Sequence, residues 1–477
     1  MKRFLAGILA LGLILSLTAC KETSAEKQVF AMDTVMMLTA YGDQGEEALK
    51  AAELELYRLD RLLSKTDEGS TVSALNNGAA TAVEDEVLEL LELAKACSGE
   101  TGGAFDITIS PVVSAWGFTE DAYRVPDEAE LKELLTSVGS ERITLNGDTA
   151  VLEPGTEIDL GGIAKGYASD RVAEIFRDHD ISRGTVVLGG NALALGTRED
   201  GQAWRVGVRD PRNSEGLVGL VHLEDAYAVT SGGYERYFEE NGKTYHHIID
   251  PATGYPAESG LTSVTVVADC KEPGTRNGTM CDALSTALFV MGEERALEFW
   301  RDGGLEFELV LVTEDGRVVV TEGLADRLQR VRRADIPMRR FPKLRPCGWD
   351  GLIVLAVVVL ALFCGVTVWG GGQDEAGELS VVISVDGEEV ERCPLTKYPD
   401  MGVPYSANGY TLYVALAYTG GPDYGIRVSR SDCPTQDCVH TGTITRSGQS
   451  IVCLPARIVI ELESSSGSGD GPDLVIG

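Results

Sequence analysis

Histidine is scarce in this chain, five in 477 residues, so a site that needs an imidazole has few places to find one. Basic side chains are also outnumbered, 41 against 74 acids, for a formal charge of −33. That much negative charge repels phosphate backbones and argues against nucleic acid as a partner. An acidic protein that handles a polyphosphate needs a divalent cation to offset the repulsion. Ten cysteines over this length do not make a disulfide scaffold. There is no internal repeat, and the Gly-x-x-x-x-Gly-Lys-Ser/Thr string of a Walker A loop is missing. What is present is a globular balance, 44% apolar and 24% charged. The length is too great for one ordinary core and implies two or three domains.

Two segments point to a membrane. Lys2 and Arg3 precede an apolar run, Phe4 to Leu17, and then Leu17-Thr18-Ala19-Cys20. The run is short for a bilayer, and small residues stand before the cysteine as a cleavage site requires. The string resembles a lipobox, in which Cys20 is acylated and becomes the new N-terminus; a plain signal peptide or an uncleaved anchor is the alternative. Gly351 to Trp369 is nineteen residues without a charge, which fits a transmembrane helix with Trp349 and Trp369 as interface anchors. The flanks conflict with the signal. Arg327 to Arg345 carries eight bases and one acid, Gly370 to Glu391 seven acids and no base. The positive-inside rule therefore places the N-terminal flank in the cytoplasm, whereas a lipoprotein signal places it outside. A joint between two once-independent units near Met338 accounts for the conflict and leaves the topology open.

Between these segments the pattern is mixed. Glu46 to Leu63 and Val83 to Ala96 carry apolar residues at helical spacing, as do Ala283 to Phe289 and Glu293 to Trp300. Leu261 to Val267 alternates and is rich in β-branched residues, a strand signature. This predicts an α+β domain. Farther on, Val381–Val385, Thr411–Ala417, Gly425–Val428 and Ile458–Glu463 read as short strands between Gly, Pro and Asp turns, a small all-β domain. The tail is Ser/Gly/Asp-rich.

Four strings carry the chemistry. Thr101-Gly102-Gly103-Ala104-Phe105-Asp106 lets backbone approach a ligand, although a glycine turn entering a strand reads the same way. Asp159-Leu160-Gly161-Gly162-Ile163-Ala164-Lys165-Gly166-Tyr167 joins a glycine turn to a helix start, where backbone N–H groups and Lys165 suit a phosphate. Thr230-Ser231-Gly232 is followed by His246-His247-Ile248-Ile249-Asp250-Pro251, whose histidine could act as a general base or hold a phosphate. Asp282 and Thr286 are four apart, so on a helix they share a face and offer hard oxygen ligands of the kind Mg²⁺ takes. Spacing alone does not separate that pair from a helix-dipole Asp beside an incidental Thr.

Together with Met32-Asp33-Thr34, these strings resemble the ApbE family of flavin transferases in the right order over roughly residues 29–330. The resemblance implies Mg²⁺-dependent transfer of FMN from FAD to a Ser or Thr hydroxyl of another protein, releasing AMP. By position it places Mg²⁺ on the Ala164 carbonyl, Asp282 and Thr286, with Asp282 and His247 as the catalytic pair. Met32, Ala104, Phe105, Asp106, Tyr167 and Ile248 lie along the FAD, with Asp159 and Lys165 nearby. Ser64-Lys65-Thr66 departs from the family's frequent Ser-x-Tyr, which removes one aromatic contact with the flavin. Two other readings stand beside this one: a Mg²⁺-dependent FAD pyrophosphatase giving FMN and AMP, and a flavin-binding lipoprotein without turnover. No self-modification string of the Asp-x-x-Ser/Thr-x-Ala-Thr kind is present, so the acceptor is expected to be another chain, a flavoprotein subunit of a membrane electron-transport complex.

Cys433-Pro434-Thr435-Gln436-Asp437-Cys438 and Gly448 to Val459 are similar to the small β domain called NusG domain II. This domain lacks a basic stripe, which argues against a transcription role. Its three cysteines could bind a metal or form a disulfide. The expected layout is a lipoprotein signal at 1–19, a tether at 20–28, the ApbE-like α+β domain at 29–335, one transmembrane helix at 351–369, the β domain at 377–463 and a disordered tail at 464–477. On this reading the transferase domain is lipid-anchored at the cell membrane and faces away from the cytoplasm.

Overall fold

The computed structural model describes residues 23–330 and 379–476, except 80, 120–121, 303–304, 419–423, 435, 446, 448 and 465–471. The expected signal sequence with Cys20 and the expected transmembrane stretch 351–369 lie outside the described residues. Among the described residues no helix is long and apolar enough to cross a membrane. The chain divides into two compact units: residues 1–330 with 386–388 and 471–477, and the remainder.

An eight-stranded sheet organises the first unit. Its strands are β1 (Ser24–Ala31), β2 (Thr34–Tyr41), β3 (Arg183–Leu188), β4 (Asn191–Leu195), β5 (Ala226–Gly232), β6 (Leu261–Asp269), β7 (Glu308–Thr313) and β8 (Val318–Val320). Their order in space is their order in the chain, and every neighbouring pair is antiparallel. Helices occupy the long connections: α1 (Gly45–Leu63) and α2 (Asp85–Glu100), then α3 (Ala164–Asp178), α4 (Asn277–Met291) and α5 (Glu293–Asp302). The α+β expectation therefore holds in detail, since helices inserted between antiparallel strands differ from a parallel βαβ arrangement.

Period-2 alternation splits the sheet into two faces. Leu193, Tyr227, Val229, Val264 and Val266 point into the helix-side core with Leu56 and Leu59 of α1 and Phe176 of α3. Ala192, Ala194, Ala226, Ala228 and Val267 face the other way, against Trp204, Val206 and Val221 of a second sheet. That sheet has four strands, Leu328–Arg330, Asn213–Leu223, Trp204–Asp210 and Leu474–Ile476. The α1 helix forms where the apolar spacing predicts it, with Ala48, Leu49, Ala52, Leu56, Leu59 and Leu63 buried on one stripe.

Two boundaries need correction. The polar stretch 20–28, expected as a tether, is strand from Ser24 onward. It pairs residue by residue with β2, and Lys27 reaches Glu53 of α1 at 2.7 Å. The tail 464–477, expected to be disordered, contains the strand Leu474–Ile476, which pairs in parallel with Val206–Val208. Asp473 bonds Arg205 at 2.9 Å, and Ile476 is buried among the second-sheet core. A strand of three residues suffices here because an existing strand edge supplies the hydrogen-bond partners.

Among its described residues the second unit is built of β strands, as expected, with short helical turns at Leu395–Lys397 and Asp437–His440. Two four-stranded sheets enclose one core, in which Val381, Ile383, Ile458, Ile460 and Leu462 of one meet Leu412, Val414, Ile426 and Val428 of the other.

Candidate functional site

The site grows from the crossing of α3 and α4. Gly166 and Gly278 let the two helices touch backbone to backbone: a Cβ on Gly166 would lie 2.3 Å from the Gly278 carbonyl oxygen and 2.7 Å from Asp282 Cβ. Neither helix has a side-chain cap of its own, and each caps the other. Asp282 of α4 accepts from the Gly166 N–H at 2.8 Å. Asp170 of α3 accepts from the N–H groups of Gly278 and Thr279 at 3.0 and 2.8 Å, and from the Thr279 hydroxyl at 2.6 Å. Burial raises Asp170 to about 6, against the pull of those donors. The exchange satisfies helix-end donors that have no partner within their own helix.

This crossing gathers side-chain oxygens. Asp282 is 4% exposed, and one turn along α4 the Thr286 hydroxyl lies 3.2 Å from the Ser231 hydroxyl at the end of β5. Ser231 also meets Ser285 at 2.7 Å. Ala164 starts α3 between Gly162, whose added Cβ would be 4.0 Å from Thr286 Oγ1, and Gly166, which donates to Asp282. Carboxylate, hydroxyl and main-chain carbonyl are hard donors, and the set fits Mg²⁺ rather than a thiophilic ion. Gly162 lies close to Phe105 and Thr286, since a Cβ there would press on the Phe105 ring at 3.1 Å and just touch Thr286 at 4.0 Å.

The two adjacent histidines part ways. His246 turns toward Phe289, with ring centroids 5.5 Å apart, and reaches the Ala257 carbonyl at 3.2 Å. It also lines a cavity of about 1120 Å³ with Tyr234, Asp250 and Tyr255. His247 faces the opposite way, beside Phe118 at 6.3 Å. Its Nδ1 lies 3.1 Å from the Arg236 carbonyl. A carbonyl only accepts, so Nδ1 carries the proton and Nε2 keeps its lone pair. His247 is half-buried. Lost hydration, with the Arg236 and Lys165 charges, pushes its pKa down to about 3.

Lys165 links these parts. Its charge acts on both His247 and Glu235, and its ammonium donates to the Gly161 carbonyl at 3.1 Å. Glu235 has its carboxyl raised to about 7, chiefly by the surrounding protein and also by Asp282, with Lys165 and Arg209 opposing. Lys165, Glu235, His247 and Asp282 thus share one field.

Residues 32–309 match the ApbE family. This chain belongs to it. Curated ApbE relatives named FAD:protein FMN transferase include one from Treponema pallidum, 33% identical over 62% of this chain and 86% of its own length. Another, from Haemophilus influenzae, is 31% identical over 70% of this chain and all of its own length. Among solved structures, the ApbE protein of Thermotoga maritima superposes with a TM-score of 0.58 at 33% identity, over 63% of this chain and 98% of its own. The apo flavinyl transferase ApbE of Pseudomonas stutzeri gives 0.58 at 27%, over 65% and 98%. The enzyme class of this ApbE chain is accordingly FAD:protein FMN transferase. Residues 352–466 match NusG domain II.

The remaining expected contacts of the ApbE domain distribute unevenly. Met32 sits in the left-handed turn between β1 and β2, its N–H held by Asp60 at 2.9 Å. Ala104 and Phe105 are buried, and Phe105 packs on Gly162 beside Thr286. Asp106 spends one oxygen on the Thr108 N–H and hydroxyl, at 2.9 and 2.6 Å, to cap a short helical turn. Asp159 pairs with Lys65 at 2.7 Å and accepts from the Gly161 N–H, so it shapes the glycine turn. Tyr167 is 1% exposed and turns its hydroxyl to Glu89 at 3.1 Å under Arg276, bracing α3. Ile248 is buried. Ser231, Glu235 and Asp170 escaped the sequence reading. Ser231 stands in the Thr230-Ser231-Gly232 string and Glu235 three residues beyond it, a usable signal, whereas the capping partner of Asp170 lies 108 residues away.

Proposed function

We propose that this enzyme transfers FMN from FAD to a Ser or Thr hydroxyl of a partner protein, with Mg²⁺ held by Asp282, Thr286 and the Ala164 carbonyl. One observation carries the reading: Asp282, braced on the Gly166 N–H, shares a field with Lys165 and with a neutral His247 whose Nε2 is left to accept a proton. Bound Mg²⁺ supplies neutralisation of the FAD diphosphate in an otherwise acidic protein. Lys165 and the start of α3 present positive charge to the same anion. The acceptor hydroxyl attacks the FMN phosphorus, its proton passes to His247 Nε2, and the P–O bond to AMP breaks. An anionic substrate beside His247 raises the basicity that Arg236 and Lys165 depress.

The acceptor fits an electron-transfer flavoprotein subunit outside the cytoplasm, with the enzyme held at the cell membrane through acylated Cys20. Protease shaving of intact cells together with a Cys20→Ser variant tests that location. The activity test uses the full chain with FAD, Mg²⁺ and an acceptor domain carrying a flavinylation-type threonine, read by intact mass. A gain of one FMN, absent for Asp282→Ala, supports transfer. FAD split to FMN and AMP without a mass gain, across several acceptors, supports the pyrophosphatase reading instead.

A further inference from the structure

We propose that the C-terminal β unit holds one thiophilic d¹⁰ metal ion, of the Zn²⁺ or Cu⁺ kind, on Cys433, Cys438 and Cys453. The three cysteines come from separate elements: the loop after strand Tyr424–Ser431, the helical turn Asp437–His440 and the end of strand Ser450–Cys453. All three are essentially buried, yet their sulfurs do not spread through the core. They face one another, every pair within 4.8 Å, with Cys433 and Cys438 at 3.6 Å. Thiolates bound to one ion at about 2.3 Å stand roughly 3.7–4.0 Å apart, so closure onto an ion needs less than about 1 Å of movement. The buried cysteines of the first unit, Cys97, Cys270 and Cys281, belong to no such group among the described residues.

The loop is built to hold this geometry. Gln436 takes a left-handed backbone conformation, φ 58°, and its amide donates to the carbonyls of Ser431 and Cys433 at 2.9 and 2.7 Å. The Cys433 N–H donates to the Ser431 hydroxyl at 3.1 Å. These bonds tie the turn that carries both Cys433 and Cys438, the support that a preorganised ligand set requires. No histidine or carboxylate joins the cluster among the described residues. A purely sulfur donor set selects soft ions and rejects Mg²⁺ and Ca²⁺. Binding releases three protons from three thiols and leaves a charge of −1 with Zn²⁺ or −2 with Cu⁺.

The test uses the full chain, purified reduced and without air, then treated with Zn²⁺, Cu⁺ or Mg²⁺ before alkylation and peptide mapping. The expected result is one Zn²⁺ or Cu⁺ per chain and protection of Cys433, Cys438 and Cys453 together, with no protection by Mg²⁺. Cys433→Ser and Cys453→Ser should each weaken Zn²⁺ binding about 100-fold or more. The wild-type protection pattern decides the matter without any variant, so misfolding of a variant does not blur it. Equal alkylation with and without Zn²⁺ and Cu⁺ overturns the proposal. So does a Cys433–Cys438 disulfide in protein isolated without oxidant.

Discussion

Gly166→Ala tests the helix crossing on which the site depends. Alanine is the better helix former by about 1 kcal/mol, so an uncrowded position would gain from the change. Here the new methyl would sit 2.3 Å from the Gly278 carbonyl oxygen, 2.8 Å from its carbon and 2.7 Å from Asp282 Cβ. Two of those atoms are backbone of α4 and the third roots the proposed metal ligand, so none yields cheaply. Relief to an ordinary C···O contact of about 3.3 Å means opening the crossing by roughly 1 Å. Overpacking of that kind costs about 1–3 kcal/mol. Stretching the 2.8 Å bond from Gly166 N–H to the buried Asp282 carboxylate adds part of the roughly 1.5–3 kcal/mol such bonds contribute. Net of the helix gain, a loss of about 1–4 kcal/mol is expected. Misplacing Asp282 by about 1 Å should slow FMN transfer on the order of 100-fold. Denaturant unfolding and acceptor mass gain measure the two effects separately. Gly99→Ala is the control, because Gly99 lies in α2 with nothing within 4 Å of its added Cβ. If Gly166→Ala matches Gly99→Ala in stability and rate, the close crossing is not what positions Asp282.

Three other outcomes are expected. His247→Ala should lower the transfer rate about 10²–10⁴-fold while FAD still binds, as equilibrium dialysis would show; an unchanged rate removes His247 as the base. In the free enzyme burial holds His247 near 3, so it stays neutral down through pH 5, and kcat/KM loses this base only in stronger acid. If the carboxyl of the solvent-exposed Glu235 is raised to about 7, kcat/KM should show a step there that vanishes in Glu235→Gln; a persistent step contradicts this expectation. Thr286→Val keeps the shape and removes the hydroxyl, so it should raise the Mg²⁺ concentration needed for half-maximal transfer, measured by titration after chelation, with little change in melting temperature.

Much of the first unit is legible in local pattern. The stripe Ala48, Leu49, Ala52, Leu56, Leu59 and Leu63 specifies α1 because helical residues three and four apart must share a buried face. The alternation of Leu261 to Val267 specifies β6 for the matching reason in strands. The site strings were legible too, since glycine before a helix start and Asp282 one turn from Thr286 are local facts. Ser24–Gln28 was not legible, because an edge strand with one polar face looks like a polar linker until β2 supplies its partners. The strand Leu474–Ile476 was hidden for the same reason, its partner Val206–Val208 being far away in the chain.

The sequence by itself determined the family, the helix and strand periods, and the residue types available for chemistry, because each is written in spacings of a few residues. Tertiary structure alone decided which atoms meet. Adjacent His246 and His247 share composition and neighbours, yet one packs against Phe289 and the other presents Nε2 in the field of Lys165. Asp170 and Asp282 look alike on two helices, and only the glycine-to-glycine crossing makes each the cap of the other's helix. Cys433, Cys438 and Cys453 are unremarkable in spacing, and converge only because two sheets close over one core. Long-range contacts of this kind follow from how whole elements pack, which no short window of residues contains.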